Sequence, residues 1–125
     1  MSKFLINGGS SLTGEISVGG AKNNAQIMLP VAILSTTPIK ITNLPMIDGV
    51  EKSLELLEDL GAEIKKGKNE VEINTKNINK TELDPKLANK FRTSVMFVGP
   101  LLTRFKKVSF PHPGGCVIGA GGRPI

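Results

Sequence analysis

The chain has no tryptophan, no tyrosine and only five phenylalanines among its 125 residues. A surface that stacks unpaired bases needs exposed aromatic rings, so this composition argues against single-stranded nucleic-acid binding. There is one cysteine, which excludes an internal disulfide and suits a reducing compartment. No second cysteine is present to share a metal or a redox couple, which speaks against zinc and thioredoxin-like chemistry. Long apolar runs are also missing. The longest, Ile27 to Leu34, is far too short to span a bilayer and contains Pro30. The N-terminal "MSKFLINGG" lacks the charged-then-apolar pattern of a secretion signal. These absences predict a cytoplasmic protein without a membrane segment.

What is present is an ordinary globular composition, 39% hydrophobic and 22% charged, enough for one domain with a core. The net charge of +5 suits an anionic partner. The lysines are scattered, and the densest pairs, Lys65-Lys66 and Lys106-Lys107, are short. They read as solvated surface rather than a nucleic-acid patch.

Local patterns predict the order β-β-α-β-α-β-β-α-β followed by a glycine-rich loop, an α/β (α+β) chain. "KFLIN" and "GEISV" read as strands joined in a hairpin through "GGSSLT". "GGAKNN" leads into "AQIMLPVAILS", apolar on nearly every face and therefore predicted to be buried all round, with Pro30 kinking it or sitting near its first turns. "PIKITNLP" reads as a strand. "IDGVEKSLELLEDLG" is an amphipathic helix with Asp48 as its cap and Gly61 as its end. "AEIKKGKNEVEINT" alternates like a hairpin about Gly67. A third helix should start at Asp84-Pro85, align Leu87, Phe91 and Val95 on one stripe, and bend or be interrupted at Gly99-Pro100. "KKVSF" completes the order as a short strand. The segments "MLPVAILSTTPIKITNLP" and "FVGPLLTRFKKVSFPHPGG" hint at a repeated α/β unit.

Four residues stand out chemically. Lys22 sits at a predicted helix start, where a cation is mildly unfavourable but where free N–H groups, glycines and an ammonium together make an anion site. The loop is not a Walker A motif, because Ala21 precedes Lys22 and Asn23 follows it. An anion site and a plain surface lysine are both open readings. Arg92, among apolar residues in "KFRTSVMFV", needs an anionic partner, which can be a structural carboxylate or a bound phosphate. Cys116, flanked by Gly114, Gly115 and Gly119 and near Arg123, can be a reactive thiol on a lid or an inert one. His112, the only histidine, has no serine-centred nucleophile motif beside it.

The stretches "GEISVGGAKNNAQIMLPVAIL", "KFRTSVMFVGPLLTRF" and "PGGCVIGAGGRPI", in that order, closely resemble the UDP-N-acetylglucosamine 1-carboxyvinyltransferase family. The resemblance runs over the whole chain. It implies an enolpyruvyl transferase fold (an α/β prism) of repeated βαβαββ units around buried helices, here incomplete. It also implies transfer of the enolpyruvyl group of phosphoenolpyruvate to the 3-hydroxyl of UDP-N-acetylglucosamine, with release of phosphate, the step that opens peptidoglycan synthesis.

The resemblance assigns Lys22 and Asn23 to phosphoenolpyruvate and Arg92 to the substrates' anionic groups. Cys116 matches the lid cysteine that protonates the enol carbon and that fosfomycin alkylates. Arg123, Pro124 and Ile125 match the start of the stretch that binds the UDP-sugar. No metal or cofactor is implied, and no nucleic-acid or membrane partner. Residues 1–20 correspond to a hairpin of the family's second domain, and 21–125 to an incomplete N-terminal catalytic domain ending in the lid loop 111–125. The missing C-terminal domain would be needed to complete the cleft and to supply the general base.

The chain departs from the family in the "AGG" between Gly119 and Arg123, where the family usually has one residue. It also departs in length, and on its own it is expected to be inactive. Two rival readings remain. One is the related 3-phosphoshikimate 1-carboxyvinyltransferase of the shikimate pathway, which does without the lid cysteine. The other is a non-catalytic ligand-binding paralogue.

Overall fold

The structure, a computed structural model, describes residues 3–112 and 114. Helix α1 (Lys22–Val31) runs into a 3₁₀ turn (Ala32–Leu34). Strand β1 (Ile39–Ile41), helix α2 (Asp48–Leu60) and strands β2 (Glu63–Gly67) and β3 (Glu70–Asn74) follow. Helix α3 (Pro85–Ala88), a second 3₁₀ helix (Arg92–Phe97) and helix α4 (Val98–Phe105) complete the order.

The three strands form one antiparallel sheet in the order β1-β3-β2. Alternation decides its faces. Ile41, Val71 and Ile73 are buried, with Ile39 and Ile64 packed against them. On the opposite face Lys40 pairs with Glu70 at 3.0 Å and Lys65 with Glu72 at 3.2 Å. Helix α2 covers the apolar face through Val50, Leu54, Leu56, Leu57 and Leu60, all fully buried. Each such side chain contributes about 1.5–3 kcal/mol relative to exposure. Gly61 ends the helix at φ +108, a conformation that disfavours any side chain.

Lys66 extends from β2 to α2, where its Nζ donates to Glu51 at 2.8 Å. That bond raises the lysine pKa above its usual value. A raised lysine pKa stabilises the fold below the unfolded lysine's pKa, and the contribution is lost as pH rises through the folded value. Thermal melts of Lys66→Met and wild type should therefore differ by about 0.5 kcal/mol at pH 7. The two should converge as pH rises through the raised pKa of Lys66.

Several elements differ from the sequence expectations. Residues 3–20 form no strand and no hairpin. Phe4, Leu5, Ile6, Leu12, Ile16 and Val18 are all more than four-fifths exposed. Their alternation is that of strands, but an isolated two-stranded hairpin without a covered face is marginal. Helix α1 is not buried all round. Ala25, Gln26, Leu29 and Pro30 are buried, while Ile27, Met28 and Val31 are about half exposed. Pro30 lies inside α1, and the helix tightens to 3₁₀ from Ala32.

Asp48 is not the cap of α2 but its first helical residue, and its carboxylate pairs with Lys52 one turn on. The predicted third helix is three pieces. Asp84 does cap α3, accepting from the Lys86 N–H at 2.8 Å, and Pro85 takes the first helical position. Phe91 is then extended (φ −151, ψ 146), which breaks the stripe and leaves Val95 exposed. Gly99-Pro100 lies in the first turn of α4, just after the 3₁₀ helix gives way to it, where the missing proline N–H costs little. "KKVSF" contributes one bridge, Ser109 beside Glu82, instead of a strand.

Candidate anion-binding cleft

Three helix starts converge on one cleft of about 610 Å³. Lys22, Asn23 and Gln26 come from α1; Ile47, Asp48 and Gly49 from the start of α2; Lys90, Phe91, Arg92, Thr93 and Met96 from the second 3₁₀ helix and its approach. Helix α1 packs against both partners, which fixes the convergence.

The first helical hydrogen bond of α1 is Ala25 N–H to Ala21 C=O at 3.1 Å, so the N–H groups of residues 22–24 precede the ladder. No side chain caps that end, and no acidic residue occupies its first turn. Both are arrangements that favour an anion from outside. Buried Phe91 anchors the extended residue before Arg92, so Arg92 opens the 3₁₀ helix at the cleft. Lys22, Asn23, Lys90 and Arg92 are exposed. Among the described residues none of the three cations forms an ion pair. The one carboxylate of the cleft, Asp48, is already paired with Lys52. The balance at the rim therefore favours a ligand carrying phosphate or carboxylate groups.

The cleft thus brings together Lys22, Asn23 and Arg92 of the predicted site residues. Cys116, Arg123, Pro124 and Ile125 lie outside the described residues. Gly114 lies beside the cleft, and a Cβ there would overlap the Asn89 carbonyl and meet Phe91 N at 3.1 Å. His112 is exposed and does not line the cleft. Arg92 has no structural carboxylate partner among the described residues, which removes one of its two sequence readings there.

Sequence reasoning missed Lys90, Gln26 and Thr93. For Gln26 a signal existed: it is a polar residue one turn after Lys22, in register with Leu29 and Ile33 on the buried stripe.

Helix α4 carries another arginine, Arg104, with a different job. Its Nη1 donates to the carbonyls of Ile33 (2.8 Å) and Thr75 (3.0 Å) and to Thr75 Oγ1 (3.0 Å). Thr75 Oγ1 in turn donates to the Ser35 carbonyl at 2.8 Å. The network ties α4 to the turn after α1 and to the end of β3.

A model of the EPSP synthase (3-phosphoshikimate 1-carboxyvinyltransferase) family matches residues 6–125. The chain is 41% identical over 125 residues to UDP-N-acetylglucosamine 1-carboxyvinyltransferase 3 of Caldanaerobacter subterraneus subsp. tengcongensis, covering all of this chain and 30% of that protein. It is 39% identical over 125 residues to the UDP-N-acetylglucosamine 1-carboxyvinyltransferase of Psychromonas ingrahamii, covering all of this chain and 29% of that protein. The chain therefore spans about 30% of the length of the curated relatives it matches. Its fold is similar to the crystal structure of the enolpyruvyl transferase NikO from Streptomyces tendae, with a TM-score of 0.66 at 21% identity over 78% of this chain and 23% of that one.

Proposed function

We propose, since the chain belongs to the EPSP synthase (3-phosphoshikimate 1-carboxyvinyltransferase) family, that its residues serve enolpyruvyl transfer from phosphoenolpyruvate to the 3-hydroxyl of UDP-N-acetylglucosamine. The names of its curated relatives supply the acceptor. The observation that carries the reading is the convergence of Lys22, Asn23 and Arg92, distant in sequence, on one cationic cleft.

In this reading the phosphate of phosphoenolpyruvate sits against Lys22, Asn23 and the first N–H groups of α1. Arg92 binds the substrates' anionic groups. The sugar oxygen bonds to C2 of phosphoenolpyruvate while C3 takes a proton from Cys116. In the tetrahedral intermediate C3 then gives up a proton and the C2–O bond to phosphate breaks, releasing phosphate and the enolpyruvyl ether. By the resemblance, the base for the hydroxyl proton comes from the part of the relatives that this chain does not span, as does most of the UDP-sugar pocket beyond Arg123, Pro124 and Ile125. Support for Cys116 as donor comes from Gly114, two positions earlier in sequence, lying against Asn89 and Phe91. A dry site is needed for a thiol to protonate carbon, and a glycine-rich lid can supply it.

A polypeptide of these 125 residues is expected to show no turnover. The test is a chimera in which they replace the matched segment of the Caldanaerobacter relative. It should release phosphate from phosphoenolpyruvate when UDP-N-acetylglucosamine is supplied, and not with 3-phosphoshikimate. Cys116→Ser in the chimera should lower the rate at least about 100-fold. A folded chimera without UDP-N-acetylglucosamine-dependent phosphate release would contradict the proposal, and release with 3-phosphoshikimate would move it to the shikimate reaction.

A further inference from the structure

The cleft has a neutral base beneath its charged rim. Gln26 lines the cleft and yet is only 6% exposed. Four polar residues are buried among those described: Gln26, Ser53, Thr75 and Ser94. Ser53 donates to the Gly49 carbonyl, Thr75 to the Ala32 and Ser35 carbonyls, and Ser94 to the Phe91 carbonyl. Gln26 is the one whose side chain makes no hydrogen bond to another described residue. Thr93 also lines the cleft, and its Oγ1 is shielded from solvent without a partner among the described residues.

Leaving a buried amide or hydroxyl unpaired costs about 1–3 kcal/mol each. Thr93 Oγ1 is such a group, and a molecule bound in the cleft would complete it, with the Gln26 amide lining the same cleft beside it. The Gln26 amide is held at the cleft by Gly49, since a Cβ at position 49 would overlap Gln26 Nε2. Lys22 and Gln26 are one turn apart on the same face of α1, and both line the cleft. The rim contributes Lys22, Lys90 and Arg92, and the carboxylate of Asp48 is paired with Lys52.

We propose that Gln26 and Thr93 form a neutral hydrogen-bonding subsite that determines which acceptor the cleft takes. A hydroxyl or amide of the acceptor bonds to these two groups while its anionic part stays at Lys90 and Arg92, leaving Lys22 and Asn23 to phosphoenolpyruvate. This rests on the function proposed above and adds to it the residues that read the uncharged part of the acceptor. Phosphoenolpyruvate has no such part, so its binding does not depend on them.

The test titrates the ¹⁵N-labelled full chain with phosphoenolpyruvate and, separately, with UDP-N-acetylglucosamine. Phosphoenolpyruvate should move the signals of Lys22, Asn23 and Arg92. UDP-N-acetylglucosamine should also move the Gln26 side-chain amide and Thr93. Gln26→Leu and Thr93→Val should each weaken UDP-N-acetylglucosamine about fivefold or more. Phosphoenolpyruvate affinity should stay within about twofold in both. Thr93→Val should melt higher than wild type, because it removes a shielded hydroxyl without a partner, and Gln26→Leu should melt no lower. Thr93→Ser, which keeps the hydroxyl, should retain the wild-type affinity.

Unchanged UDP-N-acetylglucosamine affinity in the folded Leu and Val variants overturns the subsite. So does a lowered melting temperature or failure to fold, which would assign both groups to the fold. If phosphoenolpyruvate moves the rim but UDP-N-acetylglucosamine leaves Gln26 and Thr93 unmoved, the subsite falls and the proposed function stands. If phosphoenolpyruvate moves no cleft signal, both fall.

Discussion

Arg104→Ala is expected to destabilise the chain by about 2–4 kcal/mol, while Arg92→Ala changes stability by no more than about 0.5 kcal/mol. The two arginines differ in what they touch. Arg104 is partly buried and serves the carbonyls of Ile33 and Thr75 together with Thr75 Oγ1. Removing its charge-assisted donors leaves those acceptors unpaired where water has little access. Its guanidinium also lies 5.1 Å from the Phe105 ring centroid, so part of the loss is packing. Arg104→Lys should recover less than half, because a lysine lacks the planar fork. Arg92 is exposed and pairs with no described carboxylate, so its loss removes nothing that the fold uses. Thermal melts of the two alanine variants decide the matter. Equal destabilisation would contradict the division of labour between them.

Lys22→Gln and Arg92→Gln should each weaken phosphoenolpyruvate binding about tenfold, and together about 100-fold. Neither should lower the melting temperature. Lys22→Gln should raise stability slightly, by about 0.3–1 kcal/mol, because it removes a cation from the positive end of α1. Loss of binding with unchanged or improved stability marks a residue kept for its ligand. The wild-type affinity should also fall with added salt, because the rim is exposed and is screened within about 10 Å at 0.1 M. Calorimetric titrations of the three variants at two ionic strengths measure both effects. Salt-independent binding, or variants that bind as wild type does, would count against a charged rim.

The parts of the fold that were legible in sequence are those decided locally. Helix α2 follows from its apolar spacing and Gly61, and the β2–β3 hairpin from its strict alternation. Asp84 and Pro85 set the start of α3 unaided. The expectations failed where a distant partner decides. The alternation of residues 3–18 was sound as a pattern, but a strand needs another strand to pair with, and none of those described lies beside it. The helix read through Phe91 was broken because burying Phe91 in the core requires an extended residue there. That break is what delivers Arg92 to the cleft.

For the site, Lys22 was visible because it is unfavourable where it stands. Gln26 was visible in principle, as a polar residue on an apolar stripe. Thr93 was not, since only the packed structure shows that its hydroxyl is shielded. The resemblance adds what spacing could not: phosphoenolpyruvate as the proposed anion for the lysine, and a proposed role for the cysteine that follows two glycines.

In the proposed function phosphoenolpyruvate binds in the cleft between the starts of α1, α2 and the second 3₁₀ helix. The most direct test follows the backbone amides of the ¹⁵N-labelled chain during titration with phosphoenolpyruvate. Saturable shifts are expected at Lys22, Asn23 and Arg92, and none in the polar face of the sheet around Lys40 and Lys65. Shifts spread over the surface lysines, or absent from Lys22 and Arg92, would contradict the proposal.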